Sequence, residues 1–308
     1  MTDLRGVITF SKGILCKKEA LEKQYSGKIG GVDVTITLPT VCDDKESTGM
    51  SNPLIAPEKG KDLRLFEEID WGYPLKFPGF NSVVYHALIE FSCDSNDVEI
   101  VSQKLYDDIC RWEQSFIQFY ELSCKYHFKQ KSKRKHSANL LAIFSDKGHI
   151  SSQELHVING VIYSDSSFVS SEQIYNAISF ASSDKNLLLE YQMLLSAYKA
   201  KEEKQFRQAI VDACAAVEIC LNKQILAYCE RKGIKSNIIT SKYRYLSDKF
   251  NLLSEFDADM PKFNYKKAVV EIRNAVVHSN NTNPSVEETN TLISIVEEVL
   301  AHYNKDFY

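Results

Sequence analysis

Apolar residues recur along this chain in two rhythms, and the change from one to the other divides it. Up to about residue 94 the rhythm is that of strands. RGVITF (5–10), KIGGVDVTITL (28–38) and VVYHALIEF (83–91) are rich in β-branched and aromatic residues, and the second alternates with period two. Residues 40–82 are polar, broken by Pro and Gly and without a clear period, which predicts a long irregular excursion. Asn96 and Glu99 read as a capping box that opens a long helix. Val101, Leu105, Ile109, Trp112, Phe116 and Phe119-Tyr120 supply its apolar stripe, the mark of a helix packed on a sheet. ANLLAIF (138–144) and ELHVINGVIY (154–163) predict two further strands, and SSEQIYNAISFASS (170–183) a short helix.

From 184 onward the rhythm is helical throughout. Leu187, Tyr191, Leu194-Leu195 and Tyr198 form one amphipathic face; Phe206, Ile210, Ala213, Val217 and Leu221 form a second, which Gly233 ends. YRYLSDKFNLL (243–253) predicts a shorter third helix and NYKKAVVEIRNAVVH (264–278) a fourth. Ser285 and Glu288 cap the last, with Leu292, Ile295-Val296 and Val299-Leu300 inside it. The expected fold class is α+β: a β-rich α+β domain over 1–182, then an all-α antiparallel bundle over 184–308.

Composition narrows the function classes. The net charge of −4 rules out a molecule that binds nucleic acid through its overall field, so any such affinity must be local. The opening MTDLRGVITFSKG carries charges where a secretory signal needs an apolar core, and no apolar run reaches membrane-spanning length. The eight cysteines are scattered without a C-x-x-C, several at apolar helix positions such as Cys110 and Cys214. They read as reduced core thiols of a cytoplasmic protein, with no metal site and no cofactor implied. The lone His86, His149 and His156 read as ordinary strand or loop residues.

Candidate chemistry gathers in Arg273-Asn274-Ala275-Val276-Val277-His278. An arginine holds a phosphate through two parallel hydrogen bonds, and a histidine moves protons near neutral pH. Ala268, Ile272 and Ala275-Val276 place the run on a helix, and SNNTNP (279–284) breaks that helix just after His278. Asn274 and His278 stand at i and i+4 and share a face, with Glu271 on the same stripe. Arg273 lies about 140° round from His278 on an ideal helix. Either the helix end unwinds, or a second copy of the chain completes the site.

Two further features have a sharp and a plain reading. KYHFKQKSKRKH (125–136) carries Lys125, Lys129, Lys131, Lys133, Arg134 and Lys135 and no acid. It is either an RNA-backbone contact, with Tyr126 and Phe128 stacking on bases, or a solvated connection between the long helix and the next strand. Glu218, among Ala215, Ala216, Val217 and Ile219, either positions Arg273 or is a helix-surface charge.

The second half resembles the HEPN domain family (higher eukaryotes and prokaryotes nucleotide-binding) over about 184–304. The resemblance rests on the Arg-Asn-x-x-x-His run of the penultimate helix. It rests also on RQAIVDACAAVEICLNKQI (207–225), with its acid among small residues, and on the closing amphipathic helix. It implies a helical bundle, a homodimer with facing motif helices, and metal-independent RNase activity in which Arg273 and His278 map onto the catalytic pair. Asn274 maps onto the polar position after the arginine, and Glu218 more loosely onto an acid of the second helix. A β-rich domain before such a bundle resembles ApeA-type anti-phage proteins in architecture alone. The expected function is therefore an endoribonuclease, a toxin or an effector of abortive infection, cutting RNA (tRNA is one candidate) and answering to a phage-derived trigger or an antitoxin. The alternative is a non-catalytic dimerisation or nucleotide- or RNA-binding module serving a sensor or adaptor.

Overall fold

A central strand organises the first half of the chain. In the computed structural model, which describes residues 1–41, 54–57, 69–75, 81–126, 135–145, 148–158, 168–183, 185–235, 242–278 and 283–305, that strand is β1 (Thr2–Lys17). It pairs antiparallel with β7 (Asn81–Cys93) on one side and β8 (Lys135–Ser145) on the other. β2 (Gln24–Ile29) and β3 (Val32–Thr37) extend the sheet beyond β7, and β9 (Gly148–Ile158) extends it beyond β8. β6 (Gly72–Leu75) also joins β7, giving seven strands, while β4 (Thr40–Val41) and β5 (Leu54–Ile55) pair separately.

The sequence expectation of a single strand over 28–38 is corrected here. That run is the end of β2, a turn and β3, because Gly30 and Gly31 adopt φ of 59° and 78° and reverse the chain. The excursion over 40–82 holds β4, β5 and β6 among its described residues.

Helix α1 (Val98–Cys124) and helix α2 (Ser171–Ala181) pack on this sheet. α1 follows Asp97 with no side-chain cap, so the expected Asn96/Glu99 capping box is absent; α2 does carry one, from Ser170 and Gln173. Along α1, Trp112, Phe116 and Tyr120 stack in succession at 5.4 and 6.1 Å, and Phe10 of β1 stacks on Phe116 at 5.4 Å. Phe10 reaches them because β1 bulges: register is kept to Thr9↔His86 and resumes at Ile14↔Val84. The bulge also offers Ser11, whose N–H and hydroxyl both donate to the buried Glu113, and Lys12, which pairs with Glu121 at 2.7 Å. Burial pushes the Glu113 carboxyl above its usual range against the opposing pull of the Ser11 hydrogen bonds.

The chain divides into two units, Met1–Asn186 and Leu187–Tyr308. The second is helical: α3 (Leu189–Glu202), α4 (Phe206–Lys232), α5 (Leu246–Phe256), a π-helical segment (Lys266–Glu271) running into α6 (Ile272–His278), and α7 (Val286–Tyr303). The fold class is thus α+β, an antiparallel sheet region followed by a helical region. α4 is the hub, touched by α3, α5, α6 and α7. It is apolar on several sides, with small residues Ala209, Ala213, Ala216 and Cys220 letting its neighbours approach. Gly233 closes it at φ 64°. Ser285 and Glu288 form the expected capping box on α7. Among the described residues, no helix is long and apolar enough to cross a membrane.

Candidate active site

The motif rides on a helix with an irregular start. Asn264 accepts from the Lys267 N–H at 3.1 Å and so caps it, and Tyr265 stacks on Phe250 of α5 at 4.1 Å. The chain then winds as a π-helix over Lys266–Glu271 before tightening into α6. The sequence pattern reads as one regular helix here. A π segment adds about a residue per turn, shifts every later side chain round the axis, and is frequent at functional sites. Val269 and Val276, both fully buried or nearly so, anchor the two parts in the core.

Arg273 is half-buried and faces α4. Its guanidinium acts electrostatically on the Cys214 thiol, which burial first of all pushes up to about 12, with Arg273 pulling down and Glu218 pushing up. Arg273 Nη1 donates to Asn274 Oδ1 at 3.2 Å, and among the described residues it has no acidic partner. His278, the last residue of α6, is exposed, as are Asn274, Ala275 and Val277. One chain therefore presents the histidine to solvent and the arginine toward α4.

Glu218 does not pair with Arg273. Its carboxylate takes Lys249 Nζ of α5 at 2.5 Å. Lys249 has only 9 % of its side chain exposed and Glu218 38 %, so the pair is open on its acidic side. Glu218 thus holds α5 onto α4 one turn from Cys214, near the motif arginine but committed elsewhere. Sequence reading overlooked Lys249, although a signal existed: a lysine stands inside the apolar run Leu246, Phe250, Leu253, and such a cation needs a partner.

The basic run is only partly visible. Lys129, Lys131, Lys133 and Arg134 lie outside the described residues, as does Phe128, and Lys135 opens β8 opposite Ile158. Lys125 ends α1 in a left-handed conformation at φ 53°. Tyr126 is buried, which removes it as a base-stacking ring.

The remaining candidates are structural. His86 is buried, its Nδ1–H donating to the Asp70 carbonyl at 2.7 Å, and burial pulls its pKa below the usual histidine value. Cys110 is exposed, contrary to its expected core position, because α1 turns that side to solvent; the other described cysteines are buried, and none forms a disulfide. Among the described residues no group of three or more His, Cys, Asp and Glu side chains could hold a metal ion. No family model, curated protein or solved structure matches the chain.

Proposed function

We propose that the helical unit is a metal-independent endoribonuclease of the HEPN type, acting as a homodimer whose two α6 helices face each other. Arg273 of one protomer holds the scissile phosphate and the charge that builds on it. His278 of the partner takes the 2′-OH proton as the 2′-oxygen attacks phosphorus, and a proton is delivered to the departing 5′-oxygen. The products carry 2′,3′-cyclic phosphate and 5′-hydroxyl ends. Asn274, bonded to the guanidinium, orients it.

The observation that carries this reading is the split placement on α6: a half-buried arginine whose guanidinium donates to the amide of Asn274, and an exposed histidine at the helix end. A purely structural arginine this close to Glu218 would pair with it; instead Lys249 occupies that acid. The exposed Ala275 and Val277 between them give a small apolar strip for a twofold contact. In this reading the protein works in the cytoplasm as a toxin or anti-phage effector, with RNA such as tRNA as substrate and a trigger or antitoxin in control.

The test is incubation of the pure protein with total tRNA and with messenger RNA in EDTA, with the ends mapped. Cleavage leaving cyclic-phosphate ends supports the reading. No cleavage in EDTA, restored by a divalent ion, refutes the mechanism. No cleavage under any condition, with a dimer that binds nucleotide or RNA, favours the non-catalytic module.

A further inference from the structure

The approach to α5 alternates cation and ring over four consecutive residues: Lys242, Tyr243, Arg244 and Tyr245. All four are described, and three are exposed. Tyr245 is 69 % exposed, a large flat ring left in water at the head of a helix whose Phe250 is in the core. Lys242 Nζ sits 5.2 Å from the centre of the Tyr243 ring.

Contacts tie this segment to the motif. The Tyr245 carbonyl accepts from the Lys249 N–H at 3.1 Å. Lys249 in turn grips Glu218, and Glu218 stands one turn along α4 from the Cys214 thiol on which Arg273 acts. One turn of α5 and one of α4 therefore link the backbone of Tyr245 to Cys214, on which the motif arginine acts. The buried Lys249 and Glu218, at the edge of the core, fix that spacing.

We propose that Tyr245, with Arg244 and Lys242, is a docking platform for single-stranded RNA beside the cleavage site. The Tyr245 ring stacks on a base next to the scissile phosphate, and the two cations hold the flanking phosphates. Every base offers a π-face, so such a platform is tolerant of sequence. An arginine fork beside it matches phosphate geometry. The exposed residues that precede the ring in sequence, Lys242 and Arg244, are cations, not apolar residues, which suits a polyanion better than the apolar centre of a protein interface. This inference rests on the endoribonuclease reading for its meaning but not for its test.

The experiment measures binding and cleavage separately on the full chain. The probe for binding is a fluorescein-labelled 2′-O-methyl oligoribonucleotide of about 12 nucleotides, which cannot be cut. Tyr245→Ala should weaken binding by about tenfold, the scale of one lost base stack. Tyr245→Phe should restore it, since the ring and not the hydroxyl does the stacking. Arg244→Gln with Lys242→Gln should flatten the salt dependence. With a cleavable substrate the Tyr245→Ala loss should fall on KM. Binding by Tyr245→Ala equal to wild type overturns the platform, as does equal loss in the Ala and Phe variants. If wild type cuts RNA and Tyr245→Ala is indifferent, the platform falls and the nuclease reading stands. If wild type cuts nothing but binds the probe in a Tyr245-dependent way, the nuclease reading falls and the platform stands.

Discussion

α1 and α4 are both 27 residues long, and both end in a left-handed residue, Lys125 and Gly233. They do opposite things with their ionisable groups. α1 has one apolar side, and the acids on it, Glu113 and Glu121, are answered by Ser11 and Lys12 from the β1 bulge. Its chemistry is enclosed and closes on itself. α4 is apolar on several sides, and one of its acids, Glu218, takes a lysine from α5 at the edge of the core, near the arginine of a helix that ends in solvent. The acids on the packed side of α1 fasten a sheet, whereas Glu218 of α4 leads out toward a surface. That contrast says where function should fail without the fold failing, and where the reverse should hold.

The largest effect separates the two regions directly. Arg273→Ala and His278→Ala should each lower RNA cleavage by about 10²–10⁴-fold, the usual worth of a proton-transfer or charge-stabilising group. Thermal unfolding should change little, since His278 is exposed and Arg273 only half-buried. A large drop in melting temperature in both variants would move the motif from the chemistry to the core.

Phe116→Ala tests the other helix. This ring stacks on Phe10, Trp112 and Tyr120, so its loss should cost about 3–5 kcal/mol of stability in the sheet unit. Cleavage per folded molecule should hold. Denaturant titration gives the first quantity, and single-turnover cleavage below the transition gives the second.

Lys249→Met should have a smaller effect that crosses from packing to chemistry. It frees Glu218 to compete for Arg273, so cleavage should fall by roughly tenfold, about 1.4 kcal/mol in the barrier. Adding Glu218→Gln should recover most of the loss. If the double variant is no better than the single one, Glu218 does not act on the arginine.

The smallest effects are in pH dependence, and the two units should differ in sign. Glu113 has its pKa raised by burial, so its contribution to stability is present below the ordinary Glu value and lost as pH rises through the folded value. Burial acts to raise Asp257 too, but hydrogen bonding and charge from His302, 2.8 Å away, outweigh it and leave its pKa lowered. Its contribution is present above the ordinary Asp value and lost as pH falls through the folded one. Melts between mildly acidic and neutral pH should show Glu113→Gln removing a decline with rising pH. Asp257→Asn should remove a loss seen only in stronger acid.

Legibility followed the range of the interaction. The helices over 187–303, the Ser285/Glu288 cap and the Gly233 stop were readable because their signals are local. The hairpin at Gly30-Gly31 had a local signal too, but the alternation running through it hid the turn. The bulge at Phe10–Gly13, the π segment over Lys266–Glu271 and the Glu218–Lys249 pair leave little trace, because partners distant in sequence decide them. Of the candidate site, the place of His278 at an exposed helix end was legible. That Arg273 leans toward α4 was not, since only tertiary packing chooses which side of a short helix faces the hub.

The central claim is that the cleaving site takes its arginine from one chain and its histidine from the other. Mixing the two dead variants tests it most directly. Arg273→Ala chains, which keep His278, co-expressed with His278→Ala chains, which keep Arg273, form heterodimers with one complete composite site. The mixture should recover about a quarter of wild-type activity, since half the dimers are mixed and each has one good site of two. Activity no higher than either variant alone, in a mixture proven to contain heterodimers, would contradict the account.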